Sequence, residues 1–256
     1  MMEDMRKTSK GRHPGLCDNC GKPIEIRTFK LAGKPKTITL PCDCLIESIE
    51  RKSVETARSG MKMILKSKGF YSGIMKNMDF NSYDKIRNES AFNKSYDYAK
   101  HVRSIEKNWL YLYGGYGLGK THMAVSILKY IAMRHMIRVE MMNWAEYCES
   151  VQMSWNDPSL KEKTNIETYK NTDCLLIDDI DKQSAKEWSM DRLYVLIDHR
   201  YKYRYPTIIT ANRNLKDLLI LWKTKEIEDR AKAIVSRVMG LLFKIIEFTG
   251  KDYRLG

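Results

Sequence analysis

No stretch of this 256-residue sequence approaches the roughly 18–20 uninterrupted apolar residues that a membrane-spanning helix needs. The opening residues, Met1-Met2-Glu3-Asp4-Met5-Arg6-Lys7, lack the apolar block of a signal peptide. The expected location is therefore the cytoplasm, with no membrane partner, and there the six cysteines stay reduced. There is no internal repeat and no low-complexity tract, so repeat arrays drop out. Acidic residues are scarce: 32 Asp and Glu face 45 Lys and Arg, a net charge of +13. That balance favours polyanionic partners, nucleic acid above all; the plainer reading is a generally solvated basic surface. Hydrophobic content of 43% is enough for a packed core.

What the sequence does have is concentrated in Gly114-Gly115-Tyr116-Gly117-Leu118-Gly119-Lys120-Thr121, a full G-x-x-x-x-G-K-T phosphate loop. The apolar run Trp109–Tyr113 precedes it. A helical pattern from Thr121 to about His135 follows, its apolar residues Met123, Ala124, Ile127, Leu128 and Ile131 at helical spacing, and His122 is expected among the residues that touch the nucleotide. A strand, a glycine-rich turn and a helix start let backbone N–H groups face phosphates at the positive end of a helix. Lys120 would neutralise the β- and γ-phosphates of ATP, and the Thr121 hydroxyl would ligate Mg²⁺. The bland alternative is a chance glycine-rich hairpin, against which both correct flanks count.

The chain then alternates strand and helix, as a doubly wound α/β sheet does. Ile137–Met142 reads as a strand and Trp144–Met153 as a helix. Cys174–Ile177 reads as a buried strand ending in Asp178-Asp179. Asp178 is expected to hold the magnesium, and Asp179 to orient or deprotonate the attacking water. The bland alternative is a strand ending in a solvated turn. Thr207–Asn212 is the next buried strand, with Asn212 expected to reach the γ-phosphate or the lytic water; its alternative is a turn-forming asparagine before Arg213-Asn214. Leu241–Phe248 reads as a last strand with eight residues after it, too few for a helical lid. Closure over the nucleotide is then expected from a neighbouring subunit. Arg237 would enter that neighbour's site as an arginine finger, with a surface ion pair as the alternative.

Residues 1–68 read as a separate basic module, with 15 Lys and Arg against 8 Asp and Glu. Cys17-x2-Cys20 and Cys42-x-Cys44 flank two alternating segments, Ile24–Phe29 and Thr37–Leu40, with a turn near Gly33-Lys34-Pro35. A hairpin that gathers four thiolates gives the set a structural Zn²⁺ prefers, and a core this small needs such a staple. Unligated thiols or a redox pair are the alternatives. Cys148 and Cys174 sit in apolar contexts and read as core. From Leu45 to about Lys68 a charged helix follows, either docked on its own module or exposed for a partner. Residues 69–108 read as a connector, helical around Ala91–Glu106, and 109–256 as the ATPase domain.

These residues together resemble the DnaC/DnaI group of AAA+ proteins, the replicative helicase loaders of the DnaC/IstB-like ATP-binding family. The resemblance covers about Met78 to Arg254. It runs through Met78-Asp79-Phe80-Asn81-Ser82-Tyr83, Gly119–Ala124, Leu176-Ile177-Asp178-Asp179-Ile180, Asp198-His199-Arg200-Tyr201, Ile209–Asn212, Ser236-Arg237 and Gly250–Arg254. It departs from the usual pattern at Ala211 and at Ile180-Asp181, where a glycine commonly follows the acidic pair. The cysteine module resembles the DnaI type in particular. The resemblance implies an AAA+ phosphate-loop NTPase that loads a hexameric replicative helicase onto single-stranded DNA and self-associates through its ATP sites. In that scheme residues 1–68 bind the helicase, and the core handles ATP and DNA. A transposition helper ATPase of the IstB type shares the core but normally lacks the cysteines. A nucleotide-binding adaptor with negligible turnover is the remaining alternative.

Overall fold

In the computed structural model, residues 15–17, 19–31, 34–157 and 165–253 are described. Gly33 of the expected hairpin turn and Arg254 of the C-terminal motif lie outside them. Contacts divide the chain into two units, Met1–Gly60 and Met61–Gly256. The first helix, α1 (Asp43–Ser67), runs through that division. Among the described residues, no helix is long and apolar enough to cross a membrane.

The first unit is built on an antiparallel hairpin, β1 (Ile26–Leu31) and β2 (Lys34–Thr39), paired from Ile26↔Thr39 to Leu31↔Lys34. Every residue of β2 is exposed, so that strand buries almost nothing of its own. Two strands without a core are marginal in water.

The second unit is a five-stranded parallel sheet in the order β4-β5-β6-β3-β7. Its strands are β3 (Trp109–Gly114), β4 (Val139–Asn143), β5 (Cys174–Asp178), β6 (Thr207–Ala211) and β7 (Leu242–Phe248). Between them run α3 (Lys120–His135), α4 (Trp144–Asn156), α5 (Ile166–Asn171), α6 (Glu187–Lys202), α7 (Leu215–Leu221) and α8 (Glu228–Leu241). Apolar residues fill both faces of the central strands because helices cover both. Alternation sorts them. Leu110, Leu112, Leu176 and Ile208 join the core beneath α3, while Trp109, Tyr111, Leu175, Ile177 and Ile209 join that beneath α4, α6 and α8. The expected strands and helices are present within a few residues. Among the described residues no helix follows β7.

The strand order places the site. From β3 the chain crosses past two strands to β4 and then returns strand by strand to β6, β3's neighbour. Where connections leave in opposite directions, a crevice opens at the carboxyl ends of the strands. The phosphate loop leaves β3 there, and the ends of β5 and β6 lie beside it.

Residues 69–108 are more than a connector. Phe70, Phe80, Tyr83, Phe92 and Tyr98 all belong to the core beneath α3. Phe80 meets Phe92, Tyr96 and Tyr130 edge-on at 5.5, 5.1 and 5.8 Å. Helix α2 (Glu89–His101) stops well before the expected Glu106. The Ser104 hydroxyl and backbone N–H both donate to the His101 carbonyl, and the chain turns so that Asn108 can accept from the Tyr98 hydroxyl at 2.6 Å.

Arg200 anchors the two strands that carry site residues. It is fully buried on α6 and donates to Thr207 Oγ1, to the carbonyls of Tyr169 and Thr172 before β5, and to that of Pro206 before β6. Burial pulls its pKa down to about 10, so it is still a cation at neutral pH.

Candidate functional site

The loop's glycines answer to local geometry. Gly117 has φ +67°, and a Cβ there would lie 1.6 Å from Asp252 Oδ1; Gly119 has φ +84° beside the Tyr83 ring. Only glycine adopts such angles without strain, and the backbone is pressed from behind at both points. No capping side chain meets the start of α3 among the described residues, so its first-turn N–H groups are available to an anion. A cleft of about 260 Å³ lies over this start, lined by Tyr116, Gly117, Leu118, Gly119, Lys120, Thr121, His122, Asp179, Lys182 and Asn212, together with Ile74, Met78 and Tyr253.

Of the expected site residues, Lys120, Thr121, Asp178, Asp179 and Asn212 converge. Lys120 Nζ donates to the carbonyls of Gly114 and Gly115 at 2.9 and 2.7 Å and to Asn212 Oδ1 at 3.1 Å. Burial lowers its pKa, while Asp179, Asp181 and Asp178 oppose the shift. Thr121 Oγ1 donates to Asp178 Oδ1 at 3.1 Å, and Thr210 Oγ1 donates to the same oxygen at 2.6 Å. Burial raises the Asp178 pKa, and the Thr210 hydroxyl works against it. Two hydroxyls on one buried carboxylate make a hard oxygen cluster suited to a hydrated Mg²⁺. Asp179 turns away from β5 with φ +54°, its N–H donating to Thr210 Oγ1 at 2.9 Å. Asparagine and aspartate tolerate that left-handed geometry better than most residues.

His122, expected to touch nucleotide, lines the cleft and also has a structural bond set. Its Nε2 sits 3.1 Å from the Asp79 carbonyl and 3.2 Å from Ser82 Oγ, tying α3 to the segment before α2. Sequence reading missed Asp181, Lys182 and Thr210. The buried Asp181 carboxylate accepts from the backbone N–H groups of Asn212 and Arg213 at 2.9 and 3.2 Å. It thereby sets where Asn212 stands. The capping role in this turn is taken by Asn214, whose side chain accepts from the N–H groups of Lys216 and Asp217 at the start of α7. The run Asp178-Asp179-Ile180-Asp181 was the available signal, since a third acid two residues on has little reason to sit beside an apolar strand end.

The sequence profile of the bacterial DnaA ATPase domain matches residues 45–240. The chain belongs to that family. Among curated relatives, the replicative helicase loader DnaI of Bacillus subtilis (strain 168) is 25% identical over 212 residues, covering 82% of this chain and 61% of DnaI. The chromosomal replication initiator protein DnaA of Buchnera aphidicola subsp. Cinara cedri is 28% identical over 174 residues, 66% of this chain and 38% of that protein. The chain thus spans less than two thirds of either relative. A crystal structure of DnaI superposes with a TM-score of 0.55 at 23% identity, covering 68% of this chain and 89% of that one. The parallel sheet with its flanking helices is the AAA+ fold of these neighbours.

Arg237 of the ATPase domain lies on α8, one turn from its end. Its Nε donates to Asp198 Oδ1 at 2.7 Å, one terminal nitrogen to the Tyr194 hydroxyl at 2.9 Å and the other to the Ala233 carbonyl at 3.1 Å. The guanidinium also lies 4.7 Å from the Tyr194 ring centre.

Ahead of the ATPase domain, Cys17, Cys20, Cys42 and Cys44 bring their sulfurs within 4.8 Å of one another. Three pairs stand at 3.5 Å: Cys17–Cys44, Cys20–Cys42 and Cys42–Cys44. Four sulfurs about 2.3 Å from a tetrahedral zinc would be about 3.8 Å apart, so the donor set fits that ion. Backbone N–H groups of Cys20 and Asn19 pull the Cys17 thiol down to about 7, the stabilisation a metal thiolate needs. Hydrogen bonding to Cys20, opposed by Asn19 and reinforced by Cys42 and Cys17, pushes the Cys44 thiol up to about 12, a proton that a bound dication would displace. Cys148 and Cys174 are wholly buried, and burial raises both thiols to about 12.

Proposed function

We infer that this chain is an ATP-switched loader of a replicative helicase. The observation that carries the inference is the four-thiol cluster preceding a phosphate-loop ATPase domain on one chain, the pairing that the resemblance ties to the DnaI type. The match to DnaI over 82% of this chain supports it. The IstB-type reading has no comparable account of the cysteines.

In this scheme Gly114–Thr121 cradles the phosphates and Lys120 carries the main positive charge. Thr121 and Asp178 would hold Mg²⁺, which supplies charge neutralisation across the β- and γ-phosphates. Asp179 orients the attacking water, and Asn212, fixed by Asp181, reports on the γ-phosphate. Residues 1–68 take the helicase, and the core from about Met78 takes single-stranded DNA. Purified full-length chain should capture the replicative helicase encoded by the same genome, and in ATP should transfer it onto single-stranded DNA. Salt should weaken the DNA contact steeply, as phosphate contacts require. Failure to capture that helicase, with ATP binding intact, would sink the loader reading and leave a nucleotide-binding domain of other purpose.

The cysteine cluster makes a separate claim. Protein purified without chelator should hold about one zinc per chain. Because binding and folding are coupled in a module this small, replacing Cys17 and Cys20 by serine should abolish zinc and helicase capture. ATP binding should survive. Elemental analysis that finds no zinc removes the metal from the scheme.

A further inference from the structure

The three carboxylates at the end of β5 are held in three different ways. Asp178 accepts from two hydroxyls, those of Thr121 and Thr210. Asp181 has no exposed side-chain surface and is occupied by Asn212 and Arg213. Asp179 alone is paired with an ammonium: Lys182 Nζ stands 2.5 Å from its Oδ2. The pair is built into the chain. Lys182 follows three residues later, across a turn closed by its own N–H donating to the Asp179 carbonyl at 3.1 Å. The bond to Asp179 raises the Lys182 pKa, so the ammonium stays charged throughout the physiological range.

We propose that Lys182 is a positioning residue that sets the resting rate of ATP hydrolysis by holding the Asp179 carboxylate in this ion pair. The proposal rests on the reading of Asp179 as the group that orients the attacking water. In hydrolysis the water oxygen bonds to the γ-phosphorus as the bridging P–O bond breaks. The electron pair of that bond leaves with ADP, and a water proton passes toward the Asp179 carboxylate. An acceptor whose oxygen already takes a charge-assisted bond from an ammonium has fewer lone pairs and less negative charge to offer that water. Burial makes the pairing count: the Asp179 side chain is 12% exposed, away from the screening of bulk water. Lys182 is 44% exposed on the rim of the same cleft. It is therefore the member of the pair that can leave. Lys120 cannot substitute for it, being held by the Gly114 and Gly115 carbonyls and Asn212.

The competing role for a lysine in this cleft is as a second phosphate ligand, and the two roles predict opposite signs. With full-length protein, saturating ATP and Mg²⁺, phosphate release by Lys182→Ala and Lys182→Met should rise about three- to tenfold. Affinity for a fluorescent ATP analogue should stay within about twofold, since the effect is on turnover rather than on binding. Lys182→Arg, which keeps the charge, should restore the low rate. Asp179→Asn should hydrolyse far more slowly than wild type, and adding Lys182→Ala to it should bring no gain. Unchanged or slower turnover in Lys182→Ala beside a slow Asp179→Asn overturns the proposal and leaves Asp179 in its role. A gain in the double variant shows that Lys182 acts elsewhere. Wild-type turnover by Asp179→Asn alone removes the reading of Asp179, and the proposal with it.

Discussion

Lys120→Ala should lose ATP binding by about two to four orders of magnitude in Kd. Its ammonium is buried between the carbonyls of Gly114 and Gly115 and the Asn212 side chain, at 2.7–3.1 Å from each acceptor. Asp178, Asp179 and Asp181 stand close enough to act on its charge. Without the lysine, a polyanionic nucleotide would meet three carboxylates with no fixed cation from the loop. Removing one partner of a buried charge pair costs about 3–5 kcal/mol, which sets the size of the expected loss. Titration with a fluorescent ATP analogue measures it, and the thermal transition without nucleotide reports whether the fold is intact. Binding within about tenfold of wild type in a folded variant would show that the phosphates lie elsewhere.

The phosphate loop was legible because its chemistry is local. Eight consecutive residues carry the turn, the cation and the hydroxyl, and the strand and helix around them follow from adjacent apolar spacing. Asp178-Asp179 and Asn212 were legible by position, since a polar residue ending an apolar strand of a parallel sheet has one place to go. What escaped depends on pairs that sequence does not order. Asp181 holds the backbone of Asn212 from 31 residues away. Thr210, which points into the site from β6, bonds a carboxylate 32 residues earlier on β5. Residues 69–108 looked like a connector because their aromatics have no helical or strand period over most of the segment. Their burial comes from meeting α3, which only the folded chain shows. Arg200 sits in a recognisable motif, yet its work is to tie the segment before β6 to that before β5, the latter again a contact across about 30 residues.

Arg237→Ala should bind ATP normally and lose about a thousandfold in stimulated hydrolysis, the scale of an arginine finger. Within its own chain the guanidinium is engaged at all three nitrogens, by Asp198, Tyr194 and Ala233. Its side chain is 25% exposed, on the face that α6 and α8 share. Two roles fit these facts. The network could present the arginine to the next protomer, or it could simply hold α8 against α6. Mixing separates them. Arg237→Ala keeps an intact phosphate loop, and Lys120→Ala keeps an intact arginine, so each alone should be inactive while a mixed assembly rebuilds some competent interfaces. Recovery should follow the mixing ratio and be greatest near equal amounts, where unlike neighbours are commonest. An arginine that merely braces α8 gives a different pattern: Arg237→Ala melts at lower temperature, and no ratio restores hydrolysis. If co-assembly is confirmed and recovery is still absent, Arg237 belongs to the fold of its own chain, and the cation completing the site must come from another residue.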